Sequence, residues 1–149
     1  MPASLSSIAR YICLAVVAGG FVTMGVLHFV APEPFVRIVP PYLPAPLALV
    51  YVSGLFEIAG GLGILVPRTR RAAGYGLIAL LVAVFPANLH MALNPDQFGD
   101  VSATALYVRL PFQVVFAALV WVAARGWAHR PDGARQTASP ARAVVDPAA

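Results

Sequence analysis

Four apolar stretches, Tyr11–Val30, Leu47–Val66, Ala72–Ala92 and Ala105–Ala124, leave this chain few ways to fold. A hydrocarbon core about 30 Å thick takes about 20 residues of helix to cross. Each stretch has that length and is much too long for a buried strand. A helix also satisfies its own backbone where no water can. The expected fold is therefore all-α, an antiparallel bundle of four transmembrane helices. The 149 residues leave room for one short domain. Only 11% of them are charged, where a soluble domain carries about 25%, so the surface must meet lipid.

The connections set the domain plan. Residues 1–10 read as a short cytoplasmic lead, 11–127 as the membrane domain and 128–149 as a disordered cytoplasmic tail rich in Pro, Ala and Arg. The first span is longer than the 7–15 residue core of a signal peptide, and no small-residue cleavage site follows it, so it reads as retained. Residues 31–46 hold six of the fourteen prolines. Proline removes the backbone donor and biases its predecessor away from the helix, so this outer loop between the first two helices is not a continuous helix. Phe35, Val36, Ile38 and Val39 make it apolar. It is expected either as a short interfacial turn or helix over the bundle mouth, or as a plain rigid linker.

All ten basic residues are arginines, and the formal net charge is +4. Arg10, Arg68, Arg70, Arg71, Arg125, Arg130, Arg135 and Arg142 flank one side of the spans; Arg37 and Arg109 fall on the other. By the positive-inside rule both termini are expected to be cytoplasmic. The partner read from this charge is the lipid bilayer, not nucleic acid, since no nucleic-acid module is present. Cys13 is the single cysteine, which excludes an internal disulfide and a CxxC redox pair.

Within the second span, Glu57 lies near the midplane. A carboxylate there costs about 2.5–3.5 kcal/mol on insertion scales, so it should face a partner or a cavity. At 100° per residue, Ser53, Gly54, Glu57, Gly60 and Gly61 share an arc of about 120°. Taking the helices as rods with level ends, Glu57 lies about 15 Å below the outer boundary, Gln113 about 12 Å, Arg109 and Asn88 about 6 Å, and His28 about 3 Å. Three readings stay open. His28, Ser53, Glu57, Asn88, Arg109 and Gln113 line one outward-facing pocket for a small molecule or quinone. Alternatively, Glu57 pairs with Arg109 as structural glue while the amides bridge helices. In the third, the group passes protons or solutes. No metal site is expected, because His28, Glu57 and His90 do not share a depth.

Five motifs in order carry a resemblance: Gly25-x-x-His28-Phe29-x-x-Pro32, Pro40-Pro41-Tyr42-Leu43-Pro44, Ser53-Gly54-x-x-Glu57-x-x-Gly60-Gly61, Phe85-Pro86-Ala87-Asn88 and Arg109-x-Pro111-x-Gln113. The set resembles the DoxX-like family of small four-helix bacterial membrane proteins, from the first helix to Trp121. That resemblance implies an accessory or quinone-binding subunit of a membrane redox system, with a membrane or peripheral redox protein as partner. The alternatives are a non-enzymatic scaffold or lipid-like ligand-binding protein, and a small transporter. One cysteine cannot cycle a dithiol, so any electron carrier belongs to a bound quinone or to the partner. Whether the chain is itself an enzyme, and whether it forms a homo-oligomer, stay open.

Overall fold

The computed structural model describes residues 5–99 and 101–125. It contains five α-helices, α1 (Leu5–Val30), α2 (Glu33–Arg37), α3 (Pro46–Gly63), α4 (Arg70–Leu93) and α5 (Ala103–Ala124), with a 3-10 turn at Pro95–Phe98. Among the described residues there is no strand. Four helices are long and apolar enough to cross a membrane: Ile8–Val30, Pro46–Gly63, Arg70–Leu93 and Thr104–Ala124. These are the helices of a multi-pass membrane protein. Leu55, Phe56, Val82 and Val114 all point outward and are more than half exposed, as a hydrocarbon solvent permits.

The helix limits differ from the expected spans for local reasons. Leu5–Arg10 was expected as a lead but is the first part of α1, since neither glycine nor proline interrupts it. α3 stops at Gly63, short of Val66, because Pro67 follows and disfavours helix at the residue before it. Thr69 Oγ1 donates to the Gly63 carbonyl at 2.8 Å. Arg70 Nε and Nη2 donate to Ile64 O and Leu65 O at 2.9 and 3.1 Å. Arg70, expected as a flanking charge, is thus buried and caps the end of α3. Pro111 lies about two turns inside α5. The tail expected at 128–149 and Asp100 lie outside the described residues.

Two apolar cores separate the ends. The larger unites Leu14, Val17, Ala18 and Phe21 of α1 with Ile64 after α3, Leu77 of α4, and Val120 and Ala123 of α5. The smaller unites Met91, Phe98 and Leu106, with Ile38 and Val101 packed on it. Arg37 ties the loop bearing α2 to this second core. Its Nη2 donates to Gln97 O at 2.7 Å, and its guanidinium lies 5.3 Å from the Phe98 ring centroid. Ala45, between two prolines, is left-handed (φ 49°, ψ 59°) and turns the chain sharply into α3.

α1 and α3 approach most closely at Gly25 and Gly54. A Cβ on Gly25 would lie 2.7 Å from the Gly54 carbonyl oxygen and 3.1 Å from Glu57 Cβ. A Cβ on Gly54 would lie 2.7 Å from His28 Cβ. Only hydrogen fits at both positions, and the backbones meet there as small-residue packing allows. This crossing brings His28 level with Gly54, eight residues into α3. α1 ends two residues beyond His28, so α3 runs past it by about six residues, roughly 9 Å. α2 covers that overhang.

Candidate functional site

Between the two cores lies a cavity of about 680 Å³. His28, Ser53, Glu57, Asn88, Arg109 and Gln113 all line it, together with apolar side chains from every helix. Its size falls within the range of small-molecule sites, and so does its make-up of apolar walls with a few polar groups.

The α1/α3 wall carries three of these residues. His28 sits in the last turn of α1, buried, with its Nδ1 2.6 Å from the Met24 carbonyl four residues back. A carbonyl only accepts, so Nδ1 holds the proton. The imidazole stacks on Phe35 of α2, ring centroids 4.0 Å apart and planes at 22°. Glu57 is 9% exposed, and its Oε2 lies 3.4 Å from His28 Nδ1. The proton on Nδ1 is aimed at Met24, and Oε2 is buried with no hydrogen-bond partner. An orphaned buried oxygen of this kind is costly. Ser53 donates its hydroxyl proton to Val50 O at 2.8 Å.

The opposite wall belongs to α4 and α5. Asn88 Nδ2 donates to Gln113 Oε1 at 3.0 Å, and Gln113 Nε2 donates to the Leu81 carbonyl. Pro86 sits in the same stretch of α4 and has no N–H to give the Val82 carbonyl. Arg109 is exposed at the rim, with Nη1 3.0 Å from Met91 Sδ.

Two expectations about this site are corrected. Glu57 and Arg109 line the same cavity but form no ion pair, since the only acid–base contact within 4.0 Å among the described residues is His28–Glu57. Arg109 is exposed and directs Nη1 to Met91 Sδ instead. The estimated depths of His28 and Glu57 differed by about 12 Å on level rods. The Gly25–Gly54 crossing and the overhang of α3 take up about 9 Å of that difference, and the side chains span the rest. His90 lies elsewhere, hydrogen-bonded through Nδ1 to Asn94 Nδ2 at 3.1 Å and edge-on to Phe98. Among the described residues no three His, Cys, Asp or Glu side chains gather to hold a metal ion. Cys13 Sγ donates to Leu119 O at 3.6 Å beside the larger core, away from the cavity.

Several participants had no motif to announce them. The Met24 carbonyl was accessible in principle, because a helical histidine can bond four residues back. The stacking of Phe35 on His28 required the fold of the proline-rich loop. Phe21, Phe112 and Phe116 add an aromatic lining that no sequence motif marked.

No curated protein and no solved structure matches the chain. A family model does match residues 17–124, which include the cavity and all six polar residues lining it. The chain belongs to the family described as Domain of unknown function (DUF8561).

Proposed function

We propose that this protein is an antiparallel four-helix bundle of the bacterial inner membrane that binds a membrane-soluble ligand between its two cores. Both termini are cytoplasmic, and the α2 loop lies over the outer mouth. The ligand the site suits is a quinone-type molecule, and the protein acts as an accessory or quinone-binding subunit of a membrane redox system. The resemblance to the DoxX-like family points the same way. The observation that carries the reading is an apolar cavity of about 680 Å³ lined by Glu57, whose Oε2 is buried without a hydrogen-bond partner. Aromatic and aliphatic walls would hold a ring and an isoprenoid tail. Polar groups on both walls would meet two oxygens at opposite ends of a ring. Electrons would pass to a membrane or peripheral partner, since Cys13 lies away from the cavity.

A second reading keeps the fold and drops the ligand. The chain from Asn88 through Gln113 to the Leu81 carbonyl is complete as it stands, as a bridge between α4 and α5 would be. On that reading the protein is a non-enzymatic scaffold.

Mass spectrometry of solvent extracts separates the two. The full chain is purified in nanodiscs, with empty nanodiscs as control. A quinone at about one per chain in wild type supports the first reading. Glu57→Gln should hold at least about fivefold less, the equivalent of one hydrogen bond. Wild-type protein with no quinone above the control refutes the quinone reading and leaves the scaffold.

A further inference from the structure

The cavity's two walls differ in hydrogen-bonding sense. On the α1/α3 wall the available protons are committed to the protein's own carbonyls. His28 Nδ1–H goes to Met24 O, and the Ser53 hydroxyl goes to Val50 O. With Glu57 ionised and His28 neutral, what this wall still offers is acceptors: the Glu57 carboxylate oxygens, the lone pairs of Ser53 Oγ and the His28 Nε2 lone pair. Glu57 Oε2 is buried and unmatched. On the α4/α5 wall the balance is reversed. Each side-chain amide has two N–H groups, and Asn88 and Gln113 each spend one. Arg109 has five N–H donors and gives one to a thioether, a weak acceptor. That wall still donates.

We propose that the cavity selects an amphiphile whose head carries a hydroxyl, bound with the O–H donated to Glu57 and an oxygen acceptor turned toward Asn88, Gln113 and Arg109. A head with carbonyl or ether oxygens alone leaves Glu57 unmet and sets a lone pair against it. Between a phenol and its methyl ether, or between a hydroquinone and its quinone, the site takes the hydroxyl form. The rest of the ligand is apolar, since Phe21, Leu81, Phe112 and Phe116 surround it. The inference rests on the ligand-binding reading of the cavity but not on the ligand being a quinone.

The test uses the full chain in nanodiscs at pH 8, under anaerobic conditions, with empty nanodiscs subtracted to remove partitioning into lipid. Two matched pairs of probes are titrated: 4-nonylphenol against 4-nonylanisole, and decylubiquinol against decylubiquinone. The hydroxyl member should bind about tenfold more tightly, as expected for a hydrogen bond to a charged acceptor. Glu57→Gln supplies an amide that donates as well as accepts, so the preference should fall to about twofold or less. Arg109→Gln should weaken both members of a pair alike and leave the ratio unchanged.

Equal binding of the phenol and its ether by the wild type overturns the inference, and that result needs no variant to fold. A preference that survives in Glu57→Gln overturns the assignment to Glu57. The ubiquinone pair tests the parent reading separately. If the phenol is preferred but neither ubiquinone probe binds, the hydroxyl selection stands and the quinone reading fails. If both ubiquinone probes bind equally and the phenol shows no advantage, the quinone reading stands and the hydroxyl selection fails.

Discussion

Replacing Gly54 with alanine adds one methyl group at the point where fold and site share their geometry. The new carbon would lie 2.7 Å from His28 Cβ, 3.0 Å from the Gly25 carbonyl oxygen and 3.1 Å from Phe29 Cε2. Carbon atoms rest at about 3.5 Å or more, so α1 and α3 must part by about 0.8 Å. Neither the His28 Cβ nor the Gly25 carbonyl can swing aside, because both are fixed to the backbone. Overpacking of this kind costs about 1–3 kcal/mol. The change also removes a glycine from a helix, which gains about 1 kcal/mol. The two effects are separated by Gly19→Ala and Gly76→Ala, where a Cβ meets nothing within 4 Å. Those controls should show the gain alone, so Gly54→Ala should fall about 1–3 kcal/mol below them. The assay is reversible unfolding by SDS in mixed micelles, followed by tryptophan fluorescence. Parting the helices also draws His28 away from Glu57, so ligand retention in nanodiscs should fall with stability. If Gly54→Ala is as stable as Gly19→Ala, the close crossing of α1 and α3 is wrong, and with it the level placement of His28 and Glu57.

Three further outcomes are expected. Glu57→Gln and Arg109→Gln should combine additively in stability, within about 0.5 kcal/mol, because no ion pair joins them; a recovery in the double variant, read in the same unfolding assay, would restore the pairing. Arg70→Met should cost about 1–3 kcal/mol by leaving the Ile64 and Leu65 carbonyls without their donors, whereas Arg68→Met, on an exposed arginine of the same turn, should change little. In a Cys13→Ala background, Asp96→Cys should react with an impermeant thiol reagent added from the periplasm and Arg68→Cys should not; the opposite pattern reverses the proposed orientation.

Apolar length and proline placement made the four long helices legible in the sequence, because a run of about 20 apolar residues has one good conformation in lipid. The same reasoning singled out Glu57, since a lone carboxylate in such a run demands an explanation. It also named the six polar residues that line the cavity, from composition and spacing within each helix. Which of them meet was a different matter. Periodicity gives the face of a helix but says nothing of how far one helix slides along another. The Gly25–Gly54 contact sets that slide for α1 and α3, and it brings His28, in place of Arg109, up to Glu57. Phe35 reached His28 only through the fold of the loop, and Arg70 became a buried cap only because Pro67 ends α3 early. Hydrogen-bond sense was set within each helix, between residues four and three apart. A histidine or serine read from the chain can donate or accept; the Met24 and Val50 carbonyls commit their protons, and only the packing of α1 on α3 sets Glu57 Oε2 beside a His28 Nδ1 whose proton is already given away.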